Sequence, residues 1–200
     1  MSGTETTRHR VEDAMRSVRR EGFLPAAQRG DAGLDQPLPL WAGQTNSQPT
    51  TVANMLELLD PAPGDRVLDV GAGSGWTTAL LAHLVGAGGS VLGLEIVPDL
   101  AEWGASNVAA TDQPWARLEV ADPGELGRAA EGPYDRILVS AMARRLPQDL
   151  LDQLAPGGVM VVPVDGWMLH VERPTAPDAE TVVTRHGPYR FVPLLTPESR

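Results

Sequence analysis

Between residues 66 and 164 the chain alternates between short apolar runs and segments with helical periodicity. Nearly continuous apolar runs are typical of parallel strands that are buried on both faces, with helices as the crossover connections. We therefore predict an α/β fold with a Rossmann-like, mostly parallel sheet and helices on both faces. The predicted strands are residues 66–70, 90–97, 116–120, 135–140 and 158–164, and the predicted helices are 76–85, 99–110, 124–130 and 147–155.

The regions on either side of this pattern have different character. Residues 10–20 have apolar side chains at helical spacing, and a second helix is predicted to end near Leu59, before a Pro- and Gly-rich stop. The segment 21–43 between them keeps no periodicity, so we predict a long connection that is either a packing arm or a functional loop. Short alternating segments near the C-terminus predict an antiparallel edge. They are residues 167–174, 179–187 and 189–195.

Length and composition limit the organisation of the chain. Two hundred residues, 42% of them hydrophobic, are enough for one core, so we predict a single domain over residues 1–200. Within it we distinguish an N-terminal helical, substrate-side region (1–60), a cofactor-binding core (61–165) and C-terminal strands (166–200).

Charge and cysteine content exclude several classes of function. The net charge of −10 repels phosphate, so nucleic acid is not an expected partner. The chain has no cysteine and only four scattered histidines, which excludes a thiolate nucleophile and predicts no metal site. No apolar run is long enough to span a bilayer, so we expect no membrane partner and a cytoplasmic location.

A glycine-rich turn follows the first predicted strand. Glycines at such a turn let the backbone approach a ligand closely, with the N-terminus of the next helix directed at it. The spacing G-x-G-x-G differs from the G-x-G-x-x-G of dinucleotide-binding sites. The turn consists of Gly71, Ala72, Gly73, Ser74 and Gly75.

Three acidic residues lie at or near the ends of successive predicted strands around this turn. Asp69 precedes the glycines and suits a cationic ligand better than a pyrophosphate. Glu95 is placed to accept hydrogen bonds from ribose hydroxyls, and Asp122 to accept one from an adenine amino group. Together with the glycine turn, the three acids predict S-adenosyl-L-methionine as the cofactor.

The uncharged stretch "GQTNSQPTT" lies upstream of the glycine turn and supplies neutral hydrogen-bonding groups without a base. A carboxylate is already ionised at neutral pH, so a methyl acceptor of that kind needs donors that orient it and no proton removal. We predict that Thr45, Asn46, Ser47 and Gln48 contact such an acceptor. The alternative is helix capping, in which Ser47 or Thr50 begins the following helix.

Several phrases of the chain resemble the protein-L-isoaspartate O-methyltransferase family, a branch of the class I S-adenosylmethionine-dependent methyltransferases. They are "GQTNSQP", "PGDRVLDVGAGSGW", "GLEIVPDLAE", "PYDRILVSA" and "LLDQLAPGGVMVVPV", in the family's order and at similar separations. The resemblance implies a seven-stranded sheet and methylation of the free α-carboxylate of isoaspartyl residues in damaged proteins. The methyl ester then closes to a succinimide, which can reopen as aspartate.

The resemblance also implies roles for single residues. Ser47 matches the family's active-site serine, and Glu95 matches its ribose-binding acid. Asp69 with Gly71, Gly73 and Gly75 matches the cofactor loop, and Asp122 matches the acid of a Gly-Asp-Gly phrase.

The chain departs from the family at positions near the expected substrate. Asn46 stands where the family usually has Ile, Pro123 follows Asp122, and the phrase "AMARRLP" places Met142 and Arg144 after the fourth strand. We hypothesise that the Arg144 guanidinium binds a carboxylate of an acidic peptide; the alternative is a solvated surface arginine.

These departures leave other functions open. One alternative is a relative that methylates an aspartate side chain of a dedicated peptide, or a diverged methyltransferase that acts on a small molecule. A second is a cofactor-binding protein that has lost catalysis. A third, less expected, is a nicotinamide-dependent oxidoreductase. The expected partners are proteins or peptides that carry isoaspartate, and we expect the chain to act as a monomer.

Overall fold

A seven-stranded sheet forms the centre of the protein. The computed structural model describes residues 3–176 and 178–195. The helices are α1 (Gly3–Ser17), α2 (Pro49–Leu59), α3 (Trp76–Val85), α4 (Pro98–Ala109) and α5 (Gln148–Asp152). The strands are β1 (Leu38–Pro39), β2 (Thr45–Asn46), β3 (Arg66–Val70), β4 (Ser90–Glu95), β5 (Ala116–Val120), β6 (Tyr134–Val139), β7 (Leu154–Val164), β8 (Trp167–Glu172) and β9 (Val182–Pro188).

The strand order in the large sheet is β5-β4-β3-β6-β7-β8-β9. The first five of these strands are parallel, and β8 and β9 continue the sheet antiparallel. The chain moves outward from β3 through β4 to β5 and then returns to the other side of β3 at β6. In an open parallel sheet, such a reversal leaves a crevice at the carboxyl ends of the strands. The predicted fold class is thus confirmed, including the antiparallel edge.

The two faces of the sheet are covered by separate apolar clusters. One face packs alternate strand residues such as Val67 and Leu138 against helices α1, α2 and α3. The opposite face packs Leu68 and Ile137 against a cluster that includes Leu150 of α5. Because both faces are buried, the strands have the nearly continuous apolar sequences from which the sheet was predicted.

Two of the elements predicted in the C-terminal half of the chain are wrong. Residues 124–130 do not form an α-helix, because Gly127 has φ +87° and the Gln153 side chain donates to the carbonyl of Leu126 and accepts from the amide of Arg128. Residues 189–195 add no strand to the large sheet and make one parallel bridge, from Pro193 to Met142. The helix predicted at 147–155 is also shorter, since β7 begins at Leu154.

The connection after α1 forms a packing arm (residues 20–43) that buries several apolar side chains. It forms two short 3₁₀ helices, Arg20–Phe23 and Ala26–Asp31, and then the β1–β2 hairpin. Phe23, Leu24 and Leu38 are buried. Such burial is the behaviour expected of a packing arm rather than of a free loop.

Among the described residues, none of the helices has the length and the apolar character needed to cross a membrane.

Candidate active site

A cleft opens where β3, β4 and β6 end, and residues 71–74 of the glycine loop (residues 71–75) line it. The amides of Gly71 and Ala72 both donate to the carbonyl of Leu94, so the loop is fixed to the end of β4. Gly71 and Gly73 have φ values of +77° and +55°, a backbone region that favours glycine. Both line the cleft, where the missing side chains leave the backbone open to a ligand.

Glu95 ties the glycine loop to the second strand of the site. Its Oε2 accepts from the Gly73 amide at 2.8 Å, and its Oε1 accepts from the Val97 amide at 2.9 Å. Each carboxylate oxygen can accept a further hydrogen bond, so the buried, cleft-lining Glu95 can also receive two ribose hydroxyls.

The back of the glycine loop packs against α4 rather than against the cleft. A side chain at Gly75 would place its Cβ 2.7 Å from Val108 and 2.9 Å from the Gly104 carbonyl oxygen. Gly104, in turn, has room only for a hydrogen beside the carbonyl of Gly73. Gly75 does not line the cleft and packs the loop against α4, and its predicted contact with a cofactor stays a prediction.

Asp69 lies under the glycine loop and is fully buried. Its Oδ2 accepts from the hydroxyls of Thr77 and Thr78, each at 2.7 Å, whereas Oδ1 has no hydrogen-bond partner. Burial raises the pKa of Asp69 to about 6. Asp69 is absent from the cleft wall, so it supports the loop and the N-terminal turn of α3, and its direct contact with a ligand stays a prediction.

The cofactor side of the cleft is acidic. Glu95, Asp122 and Glu125 line it, and the exposed Asp122 uses Oδ1 to accept from the Gly124 amide, which leaves Oδ2 for a ligand. Three carboxylates oppose a pyrophosphate and favour a cation. Together with the open glycine backbone, this donor and charge set fits the sulfonium, ribose and adenine of S-adenosylmethionine.

The acceptor loop (residues 44–48) forms the opposite wall. Ser47 lies just before α2, and among the described residues its hydroxyl has no hydrogen-bond partner. The cap of α2 comes instead from Asp35, whose carboxylate accepts from the amide and hydroxyl of Thr50, both at 2.8 Å, and from Gln48. The Thr50 amide holds the pKa of Asp35 below its usual value. Neither Ser47 nor Thr50 therefore caps the helix, and the Ser47 hydroxyl remains free for a ligand.

A buried arginine holds the acceptor loop in place. The Arg20 guanidinium donates to the Asn46 side chain at 2.7 Å, to the carbonyls of Asn46 and Ser47, and to three carbonyls of the packing arm. It also lies 5.5 Å from the ring centroid of Trp76. Burial lowers the pKa of Arg20.

Asn46 extends this network to the cofactor side, because its Nδ2 donates to the hydroxyl of Ser74 at 3.1 Å. Both ends of its side-chain amide are therefore engaged inside the protein. Asn46 thus joins the acceptor loop to the glycine loop. Its predicted contact with substrate stays a prediction.

The C-terminal tail (residues 189–195) closes the acceptor side of the cleft. The amide of Met142 donates to the carbonyl of Val192, and the amide of Leu194 donates to the carbonyl of Met142. Arg190 to Leu195 all line the cleft, whereas the exposed Arg144 does not. The structure thus gives the cleft a different arginine from the one that the sequence suggested.

Most of the predicted site residues meet in this cleft. Those in its lining are Thr45, Asn46, Ser47, Gln48, Gly71, Ala72, Gly73, Ser74, Glu95 and Asp122, and those outside it are Asp69, Gly75 and Arg144. Sequence reasoning missed Arg20, Asp35 and Arg190. Arg20 lies in a charged run that gives no sign of burial, and Asp35 and Arg190 lie outside the motifs from which the site was predicted.

A Rossmann-like sheet, a glycine loop on the first strand and an acid at the end of the second that can accept ribose hydroxyls are the features of an S-adenosylmethionine-dependent methyltransferase of class I. The sequence profile of the family Protein-L-isoaspartate(D-aspartate) O-methyltransferase matches residues 3–199. The chain therefore belongs to this family.

Relatives and solved structures agree with this assignment. The chain is 45% identical to the protein-L-isoaspartate O-methyltransferase of Aeropyrum pernix, over 97% of this chain and 75% of the relative. It is also 45% identical to the enzyme of that name from Methanopyrus kandleri, over 95% of this chain and 85% of the relative. A Plasmodium falciparum beta-aspartate methyltransferase, solved in complex with S-adenosyl-L-homocysteine, superposes with a TM-score of 0.79 and 25% identity, covering 94% of this chain and 90% of that chain.

Proposed function

We propose that this protein transfers a methyl group from S-adenosylmethionine to the α-carboxylate of L-isoaspartyl residues in damaged proteins or peptides, as a step of protein repair. The observation that carries the proposal is the free Ser47 hydroxyl in a wall of neutral donors, opposite a glycine loop that fits the cofactor. The family and its named relatives support the same acceptor.

When bound, the cofactor supplies an electrophilic methyl group on a sulfonium. The chain has to hold the acceptor carboxylate in line with that methyl group and exclude water. Ser47 donates a hydrogen bond to the carboxylate, and Thr45 extends the same wall. The packing arm and the C-terminal tail shield the site from two sides.

The lack of a base on the acceptor side favours a carboxylate over an amine or alcohol acceptor. Among the described cleft-lining residues there is no histidine, and all three acids lie on the cofactor side. An amine or alcohol would have to lose a proton during transfer, whereas a carboxylate is already an anion.

The proposal is tested by transfer of labelled methyl from S-adenosylmethionine to two peptides that are identical except for isoaspartate or aspartate at one position. We expect labelling of the isoaspartyl peptide alone. Labelling of the aspartyl peptide would favour the dedicated-peptide alternative. Labelling of neither, with S-adenosylhomocysteine still bound, would overturn the proposed reaction.

The role of Ser47 is tested by Ser47→Ala, with Ser106→Ala on the exposed side of α4 as the matched control. Because the Ser47 hydroxyl has no partner in the part of the chain that the structure describes, its removal should leave stability and S-adenosylhomocysteine affinity unchanged. A lost hydrogen bond to a charged group costs about 1.5–3 kcal/mol, which predicts a roughly 10- to 100-fold lower kcat/KM for the isoaspartyl peptide. An unchanged kcat/KM would remove Ser47 from the mechanism.

We further propose that the enzyme acts as a monomer, because a single chain supplies both sides of the cleft. A cytoplasmic location stays a prediction.

A further inference from the structure

We propose that Arg190 selects acceptor peptides by binding a second carboxylate, one that is not methylated and belongs to an acidic residue near the isoaspartate. This inference rests on the proposed function and adds to it a preference for acidic sequence context. It replaces Arg144 as the arginine of the acceptor side.

Arg190 is the only cation among the described residues that line the cleft. Its position is fixed by the backbone on either side: the Tyr189 amide donates to the carbonyl of Gly166, and the Val192 carbonyl accepts from the amide of Met142. The hydroxyl of Tyr189 also accepts from Asn54 of α2. The main chain is thus anchored on both sides of an exposed guanidinium.

The Arg190 guanidinium has no hydrogen bond, ion pair or ring contact with any residue that the structure describes. The chain contains no lysine, and among its described arginines only Arg144 shares this lack of a partner. Each of the other described arginines makes at least one hydrogen bond, ion pair, ring contact or other electrostatic interaction. Arg190 is therefore an available cation at the edge of the acceptor pocket, on a protein whose net charge of −10 otherwise repels acidic peptides.

The chemistry of methyl transfer indicates which carboxylate Arg190 binds. A sulfonium cation and a carboxylate anion react to give a neutral ester and a neutral thioether, so charge disappears on the way to the transition state. A guanidinium on the reacting carboxylate would stabilise the ground state more than the transition state and would slow the reaction. Neutral donors such as Ser47 suit the reacting group, and a cation is better placed on a neighbouring carboxylate.

The test uses peptides whose only charged side groups are one isoaspartate and one Glu. The Glu is placed at each position from two residues before to two after the isoaspartate, and each peptide is compared with the matching Gln peptide. An exposed ion pair predicts a KM about two- to fivefold lower for the preferred Glu peptide, with kcat little changed. Arg190→Gln should abolish the Glu preference, and Arg190→Lys should restore part of it. Arg144→Gln is the matched control and should keep the wild-type preference.

Equal KM values for Glu and Gln peptides in the wild type, or a preference that survives Arg190→Gln, would overturn the inference. So would a preference that Arg144→Gln abolishes equally. Calorimetry can also measure how tightly the same peptides bind the enzyme in complex with S-adenosylhomocysteine. Because this measurement needs no methyl transfer, it tests the role of Arg190 separately from the proposed reaction. Absence of methyl transfer would count against the proposed function, while the Glu and Gln dissociation constants would still decide the role of Arg190.

Discussion

The cofactor side of the cleft is built from strand ends, whereas the acceptor side is built from segments far apart in the chain. Glu95 and the glycine loop lie at the ends of the adjacent strands β4 and β3, and hydrogen bonds between these two strand ends fix them. The acceptor loop depends on Arg20 and Asp35 from the packing arm and on the C-terminal tail. Substitutions should therefore have different effects on the two sides.

This difference teaches which side of the cleft can change its specificity while the fold stays the same. The cofactor side cannot alter its backbone without disturbing the sheet, because Gly75 and Gly104 leave no space between the loop and α4. The acceptor side can exchange surface groups such as Arg190 without affecting the core. Asn46 is the direct side-chain link between the two, through Ser74.

The largest effect should come from Arg20→Met, which removes the centre of the acceptor side. The carbonyls of Leu34, Gln36 and Ser47 would lose their buried donor, so we expect the free energy of unfolding to fall by about 3 kcal/mol. Methyl transfer should fall more than S-adenosylhomocysteine affinity. Denaturant unfolding measures the stability, calorimetry measures the affinity, and a peptide assay measures the transfer. The exposed Arg144→Met is the control; equal losses of binding and transfer would contradict the separation of the two sides.

A smaller effect, confined to the cofactor side, is expected from Glu95→Gln. The neutral amide can no longer accept from two backbone amides and two hydroxyls at once, so the dissociation constant for S-adenosylhomocysteine should rise roughly 30- to 100-fold. Glu125→Gln makes the same charge change elsewhere in the cleft lining and should raise it much less. Similar values for both variants in calorimetry would show that overall charge, not the geometry of Glu95, determines affinity.

The smallest of the three effects concerns Asp69 and pH. Burial raises its pKa from 3.8 to about 6, so between these values the folded protein holds the proton more tightly than the unfolded chain. Ionisation of Asp69 therefore costs stability as pH rises from about 4 to 6. Relative to Asp69→Asn, the cofactor-free wild type should lose on the order of 2 kcal/mol over this range, and the loss should level off by about pH 7.

Thermal unfolding of both proteins at a series of pH values measures this difference. The Asn variant keeps an oxygen that accepts from Thr77 and Thr78, so the comparison isolates the charge. Parallel curves for the two proteins would show that Asp69 does not titrate in this range.

Local sequence patterns predicted best the elements whose residues are buried in the same way from one end to the other. Helix α3 and strand β5 have the predicted bounds, because each is bounded by a turn that its own sequence specifies. The helix predicted near residue 124 failed, since Gln153 supplies from a distance the bonds that a helix would have made. The segment 189–195 alternates like a strand but contacts a loop rather than a sheet edge.

The sequence by itself determined the parallel sheet, the glycine loop and the acid at the end of β4, because these follow from periodicity and from residues that are neighbours in the chain. Only the tertiary structure decided which groups face the acceptor. It buried Asn46 and Asp69, assigned the cap of α2 to Asp35, and brought Arg190 rather than Arg144 to the cleft. The physical reason is that burial and hydrogen-bond partners depend on segments that meet only when the chain folds, and such contacts leave no local periodicity in the sequence.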